Sequence, residues 1–227
     1  MRFFFLLFLL MTTIGSARAS DPAPALADGS MSRAPRHTPV LLIHGIADDC
    51  RSMEPMARYL RASGWDAHTL SLRPNWGQAG LEDLAGQIEG FVERTFSKGQ
   101  RIDLIGFSMG GLACRYYVQR LGGMARVQHF VTLSTPHEGT WIAHLLPNVA
   151  GRQMRPGSAF LQDLASDSVR LAQVHITSVW TPLDLVVVPP RNSRVEGARN
   201  IRMWVALHPL MVRDARCFRT VAAALRG

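Results

Sequence analysis

Gly106-Phe107-Ser108-Met109-Gly110 sets a serine between two glycines at the G-x-S-x-G spacing. The pentapeptide alone is a weak signal, since chance supplies it in roughly one chain in ten of this length. Its surroundings strengthen it. A short apolar strand (Ile102 to Phe107) runs into it, and a helix bearing Leu112, Ala113, Tyr116 and Tyr117 runs out. So tight a strand–helix turn strains the central residue and presses its neighbours on adjacent backbone, which is what the glycines relieve. It lifts the hydroxyl above the sheet and sets the first helical amides beneath a developing oxyanion. The competing reading is a helix-capping serine after a glycine turn.

A serine hydroxyl is a poor nucleophile at neutral pH, so a histidine must take its proton and a carboxylate should orient that histidine. Reactive groups in parallel sheets gather at the carboxyl ends of strands. His129 and His175 fall inside predicted strands, and His137 and His144 precede every later acid except Glu138. His208 stands in the loop after the predicted strand Ile201–Ala206 and before the last helix. Among the acids, Asp163 and Asp167 belong to the solvated face of an amphipathic stretch, and Asp214 follows His208. Asp184 sits just past the predicted strand Val174–Trp180. Ser108, Asp184 and His208 are the candidate triad. Their plainer readings are a turn residue after Pro182 and a helix-boundary residue before Pro209. His44-Gly45-Ile46 ends the first strand, so the backbone N–H groups of Ile46 and Met109 are the candidate oxyanion donors. His44 itself reads as a structural hydrogen-bonding residue.

The elements that must hold these groups are legible as alternating short apolar runs and amphipathic stretches, the pattern of βα units. Strands are predicted at 39–43, 65–72, 101–107, 127–133, 174–180 and 201–206. Helices are predicted at 52–62, 81–96, 110–121 and 212–225. The 81–96 stretch has the clearest rhythm, with Leu81, Leu84, Ala85, Ile88 and Val92 at helical spacing. Strand 39–43 has no polar alternation, as expected when both faces are covered.

With 227 residues, 47% apolar and 19% charged, the chain has room for one domain and an ordinary core. Arg2, the apolar run Phe3–Ile14 and Ser16-Ala17-Arg18-Ala19 read as a cleaved secretory signal over residues 1–19. That places the chain in the periplasm or outside the cell, with no transmembrane segment after the signal. Residues 20–38 read as a linker, and 39–227 as the catalytic domain with a short cap insertion around 139–173. The excess of 25 basic over 17 acidic residues gives +8, and losing Arg2 and Arg18 leaves +6. The arginines are scattered, without a basic run or interleaved aromatics, which argues against a nucleic-acid partner. Cys50, Cys114 and Cys217 have no metal-ligand spacing, and neither metal nor organic cofactor is expected. Cys50–Cys217 is the preferred pair if a disulfide forms after export; three small buried side chains serve equally well.

From Pro39 onward the chain resembles small bacterial lipases and esterases of the α/β-hydrolase fold. Besides the motifs above, Ser134-Thr135-Pro136-His137-Glu138-Gly139-Thr140 is similar to their TPHxGT loop, and Met154–Ser158 with Phe160, Leu161 and Leu164 looks like a segment they carry before the acid. The resemblance implies a three-layer α/β fold, with a mostly parallel sheet of about six strands and helices on both faces. It implies Ser108, Asp184 and His208 as triad and Ile46 and Met109 as oxyanion donors. The expected partner is a small-molecule or lipid ester. Trp141, Ile142, Leu145 and Leu146 are candidate walls of an acyl groove, or ordinary packing. A thioesterase, a phospholipase or an amide hydrolase would use the same triad, and a non-catalytic acyl-binding protein of this fold is the rival class. The cap is too short for a large lid.

Overall fold

Apolar side chains alternate between the two faces of each strand, and this alternation fixes the layers. In the computed structural model, which describes residues 37–227, Leu41 and Ile43 join one buried cluster and Val40 and Leu42 the other. The strands are β1 (Val40–Ile43), β2 (Ala67–Leu70), β3 (Ile102–Phe107), β4 (Val127–Leu133), β5 (His175–Trp180) and β6 (Arg199–Arg202). All pair in parallel, in the order β2-β1-β3-β4-β5-β6. The four long helices are α1 (Cys50–Ala62), α2 (Leu81–Thr95), α3 (Met109–Arg120) and α6 (Ala215–Ala224). Leu84, Ile88 and Leu112 of α2 and α3 cover one face; Met53, Leu60 and Val221 of α1 and α6 cover the other. This is the expected three-layer α/β-hydrolase arrangement, with the sheet parallel throughout.

The two edge strands are shorter than their apolar runs predict. β2 covers Ala67–Leu70 rather than 65–72, and β6 covers Arg199–Arg202 rather than 201–206. An edge strand pairs on one side only and loses its ladder sooner. Beyond Met203, whose amide still donates to Trp180 O, the chain leaves the sheet as a loop. The last helix also starts later than expected. Asp214 caps it by accepting from the Arg216 amide, and His208–Val212 forms a separate 3-10 turn.

Residues 139–173 hold α4 (Val149–Gln153) and α5 (Ala159–Ser166), with 3-10 turns at Trp141–Leu145 and Ser168–Gln173. The signal segment expected at 1–19 lies outside the described residues. Of the expected linker only His37 and Thr38 are described, and the His37 ring stacks on Trp65 at 4.1 Å. No described helix is long and apolar enough to cross a membrane. The Cys50–Cys217 pairing is not formed: all three cysteines are free. Cys217 faces the core from α6, where burial pushes its thiol up to about 12.

The strand order reverses between β1 and β3, so the loops leaving these neighbours open the crevice where parallel sheets bind ligands. Here the backbone packs unusually close. A Cβ on Gly110 would lie 2.1 Å from the His44 carbonyl oxygen, and one on Gly106 2.5 Å from the Gly111 Cα. Two buried histidines brace the surrounding loops. The Leu72 amide donates to His44 Nε2 at 2.9 Å, which leaves Nδ1–H to face Gly45 O at 2.7 Å. His137 lies against Thr132 Oγ1 at 3.1 Å, beneath the buried Arg115. Burial lowers the proton affinity of His44, and burial with the Arg115 cation lowers that of His137 well below the usual value.

Two predictions follow from this bracing. Gly110→Ala drives a methyl group into backbone that cannot rotate away, and should cost about 3 kcal/mol or more. A loss below ~1 kcal/mol in urea unfolding would contradict the close packing. His44 and His137 bind protons less readily folded than unfolded, so the stability they confer is present above about pH 6.5 and is lost as pH falls. Asp103, whose carboxyl is raised by burial, acts in the opposite sense at lower pH. Urea midpoints should therefore drop between about pH 7.5 and 5.5, and drop less steeply in His137→Asn; a midpoint that rises over this range would refute the account.

Candidate active site

Ser108 occupies the turn between β3 and α3 with φ 52° and ψ −126°, a left-handed conformation that strains any non-glycine residue. Its amide donates to Leu133 O at 2.9 Å and its carbonyl accepts from Gly111 N at 3.0 Å, which hold the turn in place. The residue is 6% exposed, and its hydroxyl has no hydrogen-bond partner among the described residues. The Met109 amide opens α3 directly beneath it. Ile46 follows the Gly45 turn at the end of β1, held by Ala47 N to Asn75 O at 2.6 Å and Asn75 Nδ2 to Asp48 O at 2.6 Å. The amides of Ile46 and Met109 both lack an acceptor among the described residues. Two unspent donors therefore flank the serine turn.

Asp184 and His208, 24 residues apart, meet at the carboxyl edge of the sheet. His208 Nδ1 lies 2.7 Å from Asp184 Oδ2. With Nδ1–H donating, Nε2 is left as the proton acceptor. The other carboxylate oxygen, Oδ1, accepts from the Val186 and Val187 amides, each at 2.9 Å. Burial pushes the Asp184 carboxyl up, but the adjacent His208 and the two amides outweigh it and hold the group below its usual value. The His208 ring packs on Phe107, the residue before Ser108, with centroids 4.8 Å apart. The structure thus joins Asp184 to His208 directly and sets that pair beside the serine turn. No hydrogen bond links His208 to Ser108 among the described residues, and such bonds commonly tighten only once substrate is bound.

Two threonines that sequence reasoning passed over hold these loops together. Thr181 Oγ1 donates to Val205 O at 2.7 Å, tying the acid loop to the base loop. Thr140 Oγ1 donates to Val186 O at 2.7 Å and accepts from Val188 N at 2.9 Å, tying the loop after β4 to the acid loop. Thr140 closes the TPHxGT-like stretch, so its place in that loop was the available signal. Nothing in the sequence marks Thr181 apart from its position at a strand end. Of the candidate groove residues, Trp141 and Leu145 point outward, 60% and 58% exposed; Ile142 and Leu146 are half-buried. The first pair is therefore exposed rather than packed in the core.

A second histidine–carboxylate pair was also missed. Asp103 and His129, on β3 and β4, meet at 2.8 Å near the amino-terminal edge. Burial there outweighs the His129 contacts and raises the Asp103 carboxyl. His129 and His175 line a cavity of about 710 Å³ at that edge, away from the serine turn. The signal was an aspartate inside an otherwise apolar strand. Among the described residues no cluster of three or more His, Cys, Asp or Glu side chains could hold a metal.

The geometry can be set against known proteins. By structure, the chain is similar to a lipase of Bacillus licheniformis, with a TM-score of 0.70 at 17% identity, over 87% of this chain and 96% of that one. Aspergillus fumigatus lipase B gives a TM-score of 0.73 at 16% identity, over 84% of this chain and 53% of its own. At such identities the likeness concerns the fold. By sequence, the chain is 30% identical over 106 residues to palmitoyl-protein thioesterase 3 of Dictyostelium discoideum, covering 44% of this chain. It is 28% identical over 109 residues, 46% of this chain, to the Homo sapiens protein named lysosomal thioesterase PPT2. In each case the aligned stretch spans 36% of the relative's length. Residues 39–182, more than half of the chain, match the palmitoyl protein thioesterase family, a stretch that includes Ile46, Ser108 and Met109 but ends just before Asp184. With more than half of the chain matched, the chain belongs to the palmitoyl protein thioesterase family.

Proposed function

We propose that this protein hydrolyses acyl thioesters, and oxygen esters less readily, through an acyl-enzyme on Ser108, with His208 as base and Asp184 as its orienting acid. The observation that carries the proposal is the buried Asp184–His208 hydrogen bond seated beside the strained Ser108 turn. Family membership moves the thioester ahead of the oxygen ester as the first substrate to test.

In the proposed reaction, His208 Nε2 takes the Ser108 proton as Oγ attacks the acyl carbonyl carbon. The Ile46 and Met109 amides hold the resulting oxyanion, at a point where charge appears only in the transition state. As the carbon–sulfur bond breaks, the imidazolium returns its proton to the departing thiolate. A water then gives a proton to His208 and attacks the acyl carbon; as the bond from that carbon to Ser108 Oγ breaks, His208 returns the proton to Oγ, which frees the carboxylic acid and restores Ser108. Asp184 stays ionised throughout: its lowered proton affinity suits it to stabilise the imidazolium. Ile46 and Leu146, half-buried against the core cluster that Met109 joins, and the half-buried Ile142 are the proposed apolar wall for an acyl chain. Export rests on the N-terminal pattern alone and is part of the proposal.

The test is turnover of a palmitoyl thioester against its oxygen-ester analogue. Ser108→Ala should lower kcat by about 10⁵-fold or more, and Asp184→Asn by about 10⁴-fold through loss of the correct imidazole tautomer, with KM little changed in both. Wild-type activity that survives in Ser108→Ala would remove Ser108 from the mechanism. A higher kcat/KM on the oxygen ester would reverse the substrate order.

A further inference from the structure

Every loop that leaves the carboxyl end of a strand in an all-parallel sheet lies on the same edge. Large exposed apolar side chains collect there. Trp141 and Leu145 follow β4, Leu183 and Leu185 follow β5, and Trp204 and Leu207 follow β6; each is at least 42% exposed. Among the described large apolar residues with such exposure, Val169 alone lies at the opposite edge. The pattern is sharpest around the proposed triad. Asp184 is 2% exposed, while its chain neighbours Leu183 and Leu185 are 43% and 63% exposed. His208 is buried and Leu207 beside it is exposed. Packing does not account for side chains that leave the core at such positions, and a large exposed apolar patch marks an interaction surface.

The charges on this edge indicate which surface it meets. Around the loops after β4, β5 and β6 that carry these side chains, Arg191, Arg202 and Arg213 are exposed against one exposed acid, Glu138; Arg73 and Arg152 lie where Glu82 and Asp83 are also exposed, in the first turn of α2. Of the half-buried acids Asp48, Asp49 and Asp214 on this edge, the last two are already held by Arg51 and Arg216. The Arg202 guanidinium lies 5.5 Å over the Trp204 ring, so cation and aromatic are presented together. Tryptophan and leucine set among unpaired arginines suit the boundary between acyl chains and anionic headgroups.

We propose that this edge docks on an anionic lipid surface, with its leucines and tryptophans in the acyl boundary and its arginines on the headgroups. This holds the mouth of the site against the membrane without movement of a lid. The inference rests on the reading that the mouth belongs to an acyl hydrolase, and it names where that hydrolase meets its substrate.

The experiment uses the full chain as Ser108→Ala, so binding is read without turnover. Partition onto phosphatidylcholine vesicles is measured with and without roughly a third of phosphatidylglycerol. The anionic vesicles should bind at least about tenfold more tightly, with a blue shift of tryptophan emission, and added salt should weaken binding. Adding Leu145→Ser with Leu185→Ser should lower partition by roughly tenfold or more. In the wild-type background the same pair should leave turnover of a water-soluble short-chain thioester within about twofold, since both side chains point to solvent. Equal partition with and without the leucines would overturn the proposal, as would equal binding to neutral and anionic vesicles. A wild-type dimer that the double variant dissociates would assign the edge to a second copy instead. Vesicle binding by a wild type that hydrolyses nothing would sink the hydrolase reading and leave the docking surface standing, so the two failures are distinguishable.

Discussion

The close approach of α3 to the ends of β1 and β3 is the constraint on which the proposed site depends. At Gly110 the helix backbone passes so near the His44 carbonyl that no side chain fits, and at Gly106 the strand meets Gly111 in the same way. That proximity leaves Ser108 no relaxed conformation: its positive φ is what a two-ended clamp imposes on the residue between. The Met109 amide that opens the helix is left without an acceptor among the described residues, as is the Ile46 amide after β1. The position of the proposed nucleophile and the free Met109 amide are therefore consequences of one packing contact.

The two buried histidine–carboxylate pairs show how environment separates a proposed catalytic pair from a structural one. Asp103 and Asp184 are both buried, and each touches a histidine within 2.8 Å. Asp184 also accepts two amide bonds from Val186 and Val187, and its proton affinity falls. Asp103 has only His129, leaves one oxygen without a partner, and its proton affinity rises. Burial pulls both the same way; at Asp184 the His208 charge and hydrogen bond, joined by two amides, outweigh it, and at Asp103 the contacts with His129 do not. An acid that must stay ionised beside an imidazolium needs the first environment. The second pair also lacks a serine turn, since it lies at the edge where strands begin.

Much of this was legible because the signals were local and periodic. The α2 stretch reads directly from Leu81, Leu84, Ala85, Ile88 and Val92, and its structure runs Leu81–Thr95. The positions of β1 and β3–β5 follow from short apolar-rich runs that alternate with helical stretches. The edge strands read less well, because how far a ladder extends is decided by a neighbour and not by the run itself. The meeting of Asp184 with His208 could be reached by elimination along the chain, since topology confines reactive groups to one edge. Thr140 and Thr181 could not, because their roles lie in hydrogen bonds across loops far apart in sequence. The exposure of Trp141 and Leu145 was hidden for a related reason: apolar composition alone does not say which side of a short turn faces out.

The most direct measurement of the central claim is covalent labelling of the folded protein by a fluorophosphonate, followed by peptide mapping. Labelling needs an activated nucleophile but not the right acyl substrate, so it separates the site from the question of which thioester or ester reaches it. The account predicts a single adduct on Ser108, formed far more slowly in His208→Ala and absent in Ser108→Ala. Absence of any adduct in the wild type, or an adduct on another residue, would contradict it.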